Sequence, residues 1–255
     1  MSSPTPLANS TSIVGSAAWR LYRFEETAST NTLAKDLPPW SAAVARTQTG
    51  GRGRYSRSFV SDEGGLWISA VVPATPPVTR WTGFSLTVGW HLLDALRTLG
   101  IANARLRWPN DLMVGSKKIA GLLLEQPIHQ TIVVGLGLNV TNAPWEKDPA
   151  LEATATRLSD QLPSPPSLEE LEEIILNAIA DAHSEMETSG LQPAISNLNA
   201  HWATHPTVEL ALFGGTTVRG AFQGLDPVGN LLLKTDEGEK NIPHTSVERL
   251  HEISQ

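Results

Sequence analysis

Gln48-Thr49-Gly50-Gly51-Arg52-Gly53-Arg54-Tyr55-Ser56-Arg57 is the stretch around which the chain is organised. Three glycines and three arginines fall in the eight residues from Gly50 to Arg57. An apolar run, Ala42-Ala43-Val44-Ala45, leads in, and a second, Leu66-Trp67-Ile68-Ser69-Ala70-Val71-Val72, follows. Such runs read as buried strands, so the stretch between them reads as a long loop. Glycine lets the backbone approach a ligand closely or take a positive φ. Arginine forks bind carboxylate or phosphate in bidentate fashion. The stretch is therefore either an anion-binding loop or a solvated basic hairpin. It matches neither the P-loop pattern nor Gly-x-Gly-x-x-Gly, so the common phosphate-loop labels do not apply.

Working outward, 255 residues suffice for one large domain or for one with a small appendage. Apolar residues make up 40%, enough for a real core, yet no apolar run is long enough to span a membrane. Residues 1–15 are rich in Ser, Thr and Pro and lack a basic region followed by an apolar core. They read as a disordered lead-in and not a signal peptide, which predicts a cytoplasmic protein. The chain has no cysteine, which excludes disulfides, thiolate metal sites and a cysteine nucleophile. A net charge of −7 argues against nonspecific nucleic-acid binding. Nine of the nineteen basic residues nevertheless fall within 46–57 and 97–118, where Asp111 is the sole acid. If these segments meet, an acidic protein carries a positive pocket suited to an anionic small molecule.

In chain order, residues 19–24 alternate as a strand, and Ser29-Thr30-Asn31 opens a short helix, as N-caps or as ligand-holding hydroxyls. Residues 79–99 carry Trp81, Phe84, Val88, Leu92, Leu96 and Leu99 at helical spacing, with Gly100 as C-cap. This predicts one core helix. Strands follow at 105–108, 112–114, 118–125 and 131–140, with Pro109-Asn110-Asp111 as a turn. Gly135 and Gly137 stand two apart, which either bares one face of their strand for a ligand or marks a bulge. Residues 141–166 read as loop. Ser167 and Glu170 form a capping box before a long amphipathic helix, and a second helix covers 191–202. His201 and His205 are spaced for a metal, without a third ligand nearby. From residue 207, four or five short strands with glycine turns suit a small β domain. The expected boundaries are 16–204 for the main domain and 205–255 for the appendage.

Five stretches now stand in order: Ser29-Thr30-Asn31, the Gly-Arg-Gly-Arg loop, Trp108-Pro109-Asn110-Asp111, Lys118-Ile119-Ala120-Gly121, and Gly135-Leu136-Gly137-Leu138-Asn139-Val140. Their order and spacing resemble the bacterial biotin protein ligases. The resemblance implies an α+β fold: a mixed sheet flanked by helices, similar to the class II aminoacyl-tRNA synthetase and biotin–lipoate ligase core, with a C-terminal SH3-like β-barrel. It implies two steps, in which biotin and ATP give biotinyl-5′-adenylate and a lysine of a biotin carboxyl carrier domain then takes the biotin. On the matched motifs, Arg52, Arg54 and Lys118 would neutralise carboxylate and α-phosphate, and Arg57 the outer phosphates. Ser29, Thr30, Asn31 and Gln48 would face the ureido ring, with Gly51, Gly53, Gly121 and Gly135 along the biotin slot. Phe59, Trp108, Asn110 and Asn139 would face the adenylate. Asp111 would lie near Mg2+ or orient the incoming lysine.

Two positions depart from the family pattern. Ser56 stands where the family often has glycine, and Phe59 where tryptophan is common, keeping an aromatic face without the N–H donor. About 18 residues precede the first predicted strand, too few for the helix-turn-helix domain of some relatives, so no DNA-binding role is expected. No membrane partner is expected, and a monomer or a homodimer is compatible with the sequence. Lipoate ligase and a non-catalytic biotin sensor are the alternatives. The Gly-Arg-Gly-Arg loop disfavours the first, and the positive charge with Lys118 the second.

Overall fold

The computed structural model describes residues 8–14, 17–128, 130–202 and 207–253. β1 (Ala8–Val14) pairs antiparallel with β2 (Ala17–Thr27). These first residues are therefore an edge strand and not part of a disordered lead-in. β-branched Thr11, Ile13 and Val14 favour extended backbone, and β2 would otherwise show solvent a row of unpaired peptide groups. Residues 1–7 and 15 lie outside the described residues, as does His205 of the candidate metal pair. His201 faces Arg97, whose Nη2 lies 2.6 Å from its Nδ1, a poor setting for a cation.

After α1 (Thr30–Ala34), β3 (Ser41–Gln48) runs parallel to β2, and β4 (Gly65–Pro73) returns antiparallel to β3. The predicted helix over 79–99 is shorter than its apolar spacing suggests. Residues 78–81 form a 3₁₀ turn, Gly83 takes φ 82°, and α2 spans Phe84–Thr98. The left-handed glycine breaks the helical path, and the apolar spacing continues across the break because both pieces pack on the same core. β5 (Ala104–Arg107), β6 (Asp111–Val114), β7 (Lys117–Ile128) and β8 (Thr131–Asn139) form a meander. The eight strands lie in the order β1-β2-β3-β4-β8-β7-β6-β5. α3 (Leu168–Thr188) starts with the predicted capping box, Ser167 and Glu170 bonding reciprocally, and α4 (Gln192–His201) follows.

Strand alternation assigns the two faces of this sheet. Leu66, Ile68, Ala70 and Val72 of β4, with Ile132, Val134, Leu136 and Leu138 of β8, join the large core that includes α2 and α3. Ala43, Ala45, Val71 and Val133 point the other way, into a smaller cluster with Phe24 and Ala34. That second face is only partly roofed, by the short α1, and there the sheet carries its pocket.

The C-terminal strands β9 (Thr207–Leu212), β10 (Thr217–Leu225), β11 (Leu231–Thr235), β12 (Gly238–Ile242) and β13 (Val247–Ile253) form an antiparallel sheet in the order β12-β11-β10-β9-β13. Polar fastenings hold it to the main sheet. The Trp108 indole donates to Gly229 O at 3.0 Å and Arg105 grips Glu252 with two bonds of 2.6 Å, while the Trp202 indole, at the end of α4, donates to Leu106 O at 3.0 Å. Leu106 is fully buried on the reverse side, where a Cβ on Gly89 of α2 would come within 2.9 Å of its Cδ1. Replacing Leu106→Ala should cost about 3 kcal/mol of unfolding free energy, read as a lower denaturation midpoint at unchanged slope.

Candidate active site

The pocket begins with missing side chains. β8 pairs with β7 so that Gly137 faces Gly121 and Gly135 faces Leu123, and with β4 so that Gly137 faces Trp67 and Gly135 faces Ser69. Register therefore places Gly121, Gly135 and Gly137 side by side on the partly roofed face. The bared space is used at once. A Cβ on Gly135 would lie 2.0 Å from Asn31 Oδ1, and one on Gly137 would lie 2.8 Å from the Phe59 ring. A Cβ on Gly121 would lie 2.7 Å from Lys118 Nζ. In front of this patch lies a cavity of about 380 Å³, bordered by the arginine loop, α1 and the 144–155 segment.

The arginine loop is a hairpin. Phe59 N donates to Gly51 O at 2.9 Å and Gly53 N donates to Arg57 O at 2.7 Å, with Arg52 and Ser58 forming a bridge. Gly50, Gly51 and Gly53 do not supply positive φ; Tyr55 at 56° and Ser56 at 58° do. Close approach is what Gly51 allows, since a Cβ there would lie 2.4 Å from both Phe59 O and Ser61 Oγ. Ser56 is left-handed, a conformation that a glycine in its place would adopt without steric cost. Tyr55 is held by an edge-on contact with Phe213 of the C-terminal sheet, ring centroids 4.7 Å apart. Arg54 donates to His244 O at 2.8 Å, and the burial that accompanies this contact lowers its proton affinity, although an arginine stays charged at neutral pH. Arg52 donates to Thr32 Oγ1 at 2.8 Å, tying the loop to α1.

On the opposite wall the Trp108–Asp111 turn and β7 bring three charges together. Lys118 Nζ lies 2.5 Å from Asp111 Oδ1, and Arg107 Nη2 donates to Asp111 Oδ2 at 2.7 Å. Burial alone would raise the Asp111 carboxyl, but Lys118 and Arg107 outweigh it and hold the group below 3.8. Lys118 also sits 5.3 Å from the centroid of the Phe59 ring, within cation–π range. Both Asp111 oxygens are thus shared with cations, so Asp111 does not fit the expected role beside Mg2+. A divalent ion there would face two positive side chains. Among the described residues no cluster of three or more His, Cys, Asp or Glu could hold a metal ion.

At the far end, Thr30 N donates to Gln48 Oε1 at 2.8 Å, and Gln48 Nε2 donates to Ser61 Oγ at 2.9 Å. Ser29 takes the N-cap position of α1 without a side-chain cap bond, so its hydroxyl is not used for capping.

The cavity gathers Ser29, Thr30, Asn31, Gln48, Arg52, Gly53, Arg54, Arg57, Phe59, Asn110, Asp111, Lys118, Gly121, Gly135 and Asn139 of the residues singled out in the sequence. Two of them stand elsewhere. Gly51 backs the hairpin. Trp108 is 4% exposed, its indole N–H spent on Gly229 O, so it joins the sheets and does not face an adenylate. Two others border the cavity with their amides already engaged. Asn139 donates to Thr156 O at 3.0 Å, and Asn110 donates to Leu122 O at 2.6 Å. The sequence did not signal the 144–155 wall. It is held by Lys118 N donating to Thr154 O at 2.7 Å and Thr156 N donating to Lys118 O at 2.9 Å, pairings that no local pattern encodes. Arg107, immediately before the Trp-Pro-Asn-Asp stretch, was legible as charge but not as a partner of Asp111.

The pattern of the biotin/lipoate A/B protein ligase family matches residues 23–139, and that of the biotin protein ligase C-terminal domain matches residues 207–247. The biotin–(acetyl-CoA-carboxylase) ligase of Paracoccus denitrificans is 30% identical over 234 residues, 87% of this chain and 97% of its own. The enzyme of the same name from Mycobacterium tuberculosis is 30% identical over 215 residues, 82% and 77% of the two chains. The structure of biotin protein ligase from Aquifex aeolicus in complex with biotin and ATP superposes with a TM-score of 0.79 at 26% identity, covering 91% of this chain and 99% of that one. A mixed ligase sheet followed by an SH3-like terminal sheet defines the class of the fold. The chain belongs to the biotin/lipoate A/B protein ligase family, among its biotin ligases.

Asp111 gives the site a pH signature. Its folded pKa is depressed, so its stabilising contribution is present above the unfolded value of 3.8 and is lost as pH falls through the lower folded value. Asp111→Asn should therefore be less stable than wild type at neutral pH, with the gap closing on acidification below 3.8. Urea unfolding at a series of pH values measures this. A gap that persists in acid would separate the effect from the charge.

Proposed function

We propose that the cavity is the place where biotin is activated by ATP and handed to a carrier lysine. The observation that carries this reading is the convergence of Arg52, Arg54, Arg57, Arg107 and Lys118 on one cavity whose floor is a strip of glycines. A carboxylate must attack a phosphate, and the two anions repel one another. Cations held on a rigid scaffold offset that repulsion and stabilise the negative charge on the oxygens of the five-coordinate phosphorus. The floor admits a flat ligand with its apolar chain along β7 and β8, and the polar pair Thr30 and Gln48 receives the ureido ring. The carboxylate end then lies between Lys118 and the arginine loop.

In the first step a biotin carboxylate oxygen attacks the α-phosphorus, the bond to the pyrophosphate oxygen breaks, and pyrophosphate leaves. Arg52, Arg54 and Lys118 neutralise the reacting groups, and Arg57 meets the leaving phosphates. In the second step the carrier lysine amine attacks the acyl carbon, AMP departs, and the amine loses a proton. Asp111 contributes by holding Lys118 and Arg107 in place. The acceptor is a carrier domain of an acyl-CoA or pyruvate carboxylase, met in the cytoplasm. No described helix is long and apolar enough to cross a membrane. The cation-lined cavity does not favour simple biotin sensing, and the likeness to relatives named biotin ligases does not favour lipoate transfer.

Incubation with ATP, magnesium and labelled biotin should label a biotin carboxyl carrier domain on its lysine. Transfer of lipoate in preference to biotin would refute the assignment. Lys118→Ala should slow single-turnover formation of the adenylate by about 10²-fold or more. An unchanged rate would remove Lys118 from the reacting set.

A further inference from the structure

Beneath Thr30 runs a chain of hydrogen bonds that adenylation does not use. Lys35 Nζ donates to Glu125 Oε1 at 2.8 Å. Glu125 Oε2 accepts from Asn31 Nδ2 at 2.8 Å, and the same nitrogen also donates to Leu123 O at 3.3 Å. Asn31 Oδ1 accepts from Ser69 Oγ at 2.6 Å, and Ser69 Oγ lies 2.7 Å from Thr30 Oγ1. Thr30, Asn31 and Ser69 are buried, and Thr30 borders the cavity.

The direction of each proton follows from the ends of the chain. An ammonium only donates and an ionised carboxylate only accepts. Burial would raise the Glu125 carboxyl, but hydrogen bonds from Lys35 and Asn31 outweigh it and keep the group ionised. Asn31 Nδ2 faces two acceptors, so Oδ1 must face Ser69. Ser69 has one proton, and Asn31 takes it. Thr30 must then supply the proton between the two hydroxyls. Its other polar neighbour is Gln48 Oε1 at 3.1 Å, an acceptor too, since it already takes the Thr30 N–H. Either way the Thr30 proton points into the protein, and only lone pairs of Oγ1 face the cavity.

We propose that Ser69, Asn31, Glu125 and Lys35 are positioning residues that lock Thr30 Oγ1 as a hydrogen-bond acceptor, so that the pocket selects a ligand ring carrying an N–H. The proposal rests on the reading of the cavity as the biotin site. Biotin's ureido ring supplies such an N–H, and the dithiolane ring of lipoate supplies none. A buried acceptor left without its donor loses far more than one weak contact, because its hydration is gone and nothing replaces it. Specificity within a fold shared by two ligase chemistries then comes partly from residues that never touch the ligand.

Glu125→Gln tests this with almost no change of shape. If its Oε1 keeps Lys35, its Nε2 must face Asn31, which then turns its carbonyl away from Ser69. The Ser69 proton swings to Thr30, and Thr30 loses an acceptor lone pair. Ser69→Ala is the control: no Ser69 proton remains to swing, the Thr30 proton turns to Gln48 Oε1, and the lone pair facing the cavity stays. The measurement is adenylate formation with biotin and with the two cyclic carbamates in which one or the other ureido N–H is replaced by ring oxygen. Wild type should reject one carbamate by about 10²-fold or more in kcat/KM. In Glu125→Gln that gap should narrow to about 10-fold or less, because biotin loses its advantage, while the KM for ATP is unchanged, and in Ser69→Ala the gap should persist. A variant that merely loosens the site would weaken all three ligands alike, and a preserved ratio in folded Glu125→Gln, or a collapsed ratio in folded Ser69→Ala, overturns the proposal. Equal use of biotin and both carbamates by wild type also overturns it while leaving the functional reading intact. Absence of any biotinyl-adenylate from wild type would instead bring down the functional reading.

Discussion

The structure depends on the register of β4, β8 and β7. A shift of one residue would turn every side chain of a strand to the other face. In the register adopted, Leu and Ile fill the core beneath α2 and α3, and Gly121, Gly135 and Gly137 share the opposite face. The same pairing that builds the core thus clears a floor for a ligand. Ser69 sits next to Gly135 in this register, which is why a β4 hydroxyl can reach Thr30 and Asn31.

The electrostatics are built on that floor. An acidic protein with net charge −7 concentrates cations in one cavity, and the concentration is tolerable because Asp111 lies between Lys118 and Arg107. The C-terminal sheet is part of the same arrangement. It receives Arg54 at His244 O and Tyr55 at Phe213, so the tip of the arginine loop rests on a second sheet far away in sequence. Trp108 fastens the Asp111 turn to that sheet through Gly229. Both walls of the charged cavity are therefore referenced to one support.

Much of this was legible. Strands and helices with alternating or helical spacing form close to where the pattern puts them, and the capping box at Ser167 acts as its residue types require. The motif stretches meet in one cavity because three lie at a helix start, in a hairpin loop or in a turn, while the glycines of β7 and β8 bare the sheet face between them. The misses have physical causes. Residues 8–14 are polar in composition but lie against an open strand edge, and edge pairing is a tertiary fact. The helix over 79–99 is interrupted at Gly83, and apolar spacing cannot register a left-handed residue between two pieces on one core. Trp108 resembles a ligand contact by its motif, yet a buried indole must satisfy its N–H, and Gly229 O does so.

What the sequence determined by itself was the periodicity of its elements, the chemistry available, and the order of five short motifs that together identify a ligase. Those properties are local or additive, so one chain in isolation carries them. Tertiary structure decided which charges pair, which glycines approach rather than bend, and which way each proton in the Thr30–Ser69–Asn31–Glu125–Lys35 chain points. These depend on atoms brought together from residues 30 to 125, at distances where one ångström separates a hydrogen bond from none.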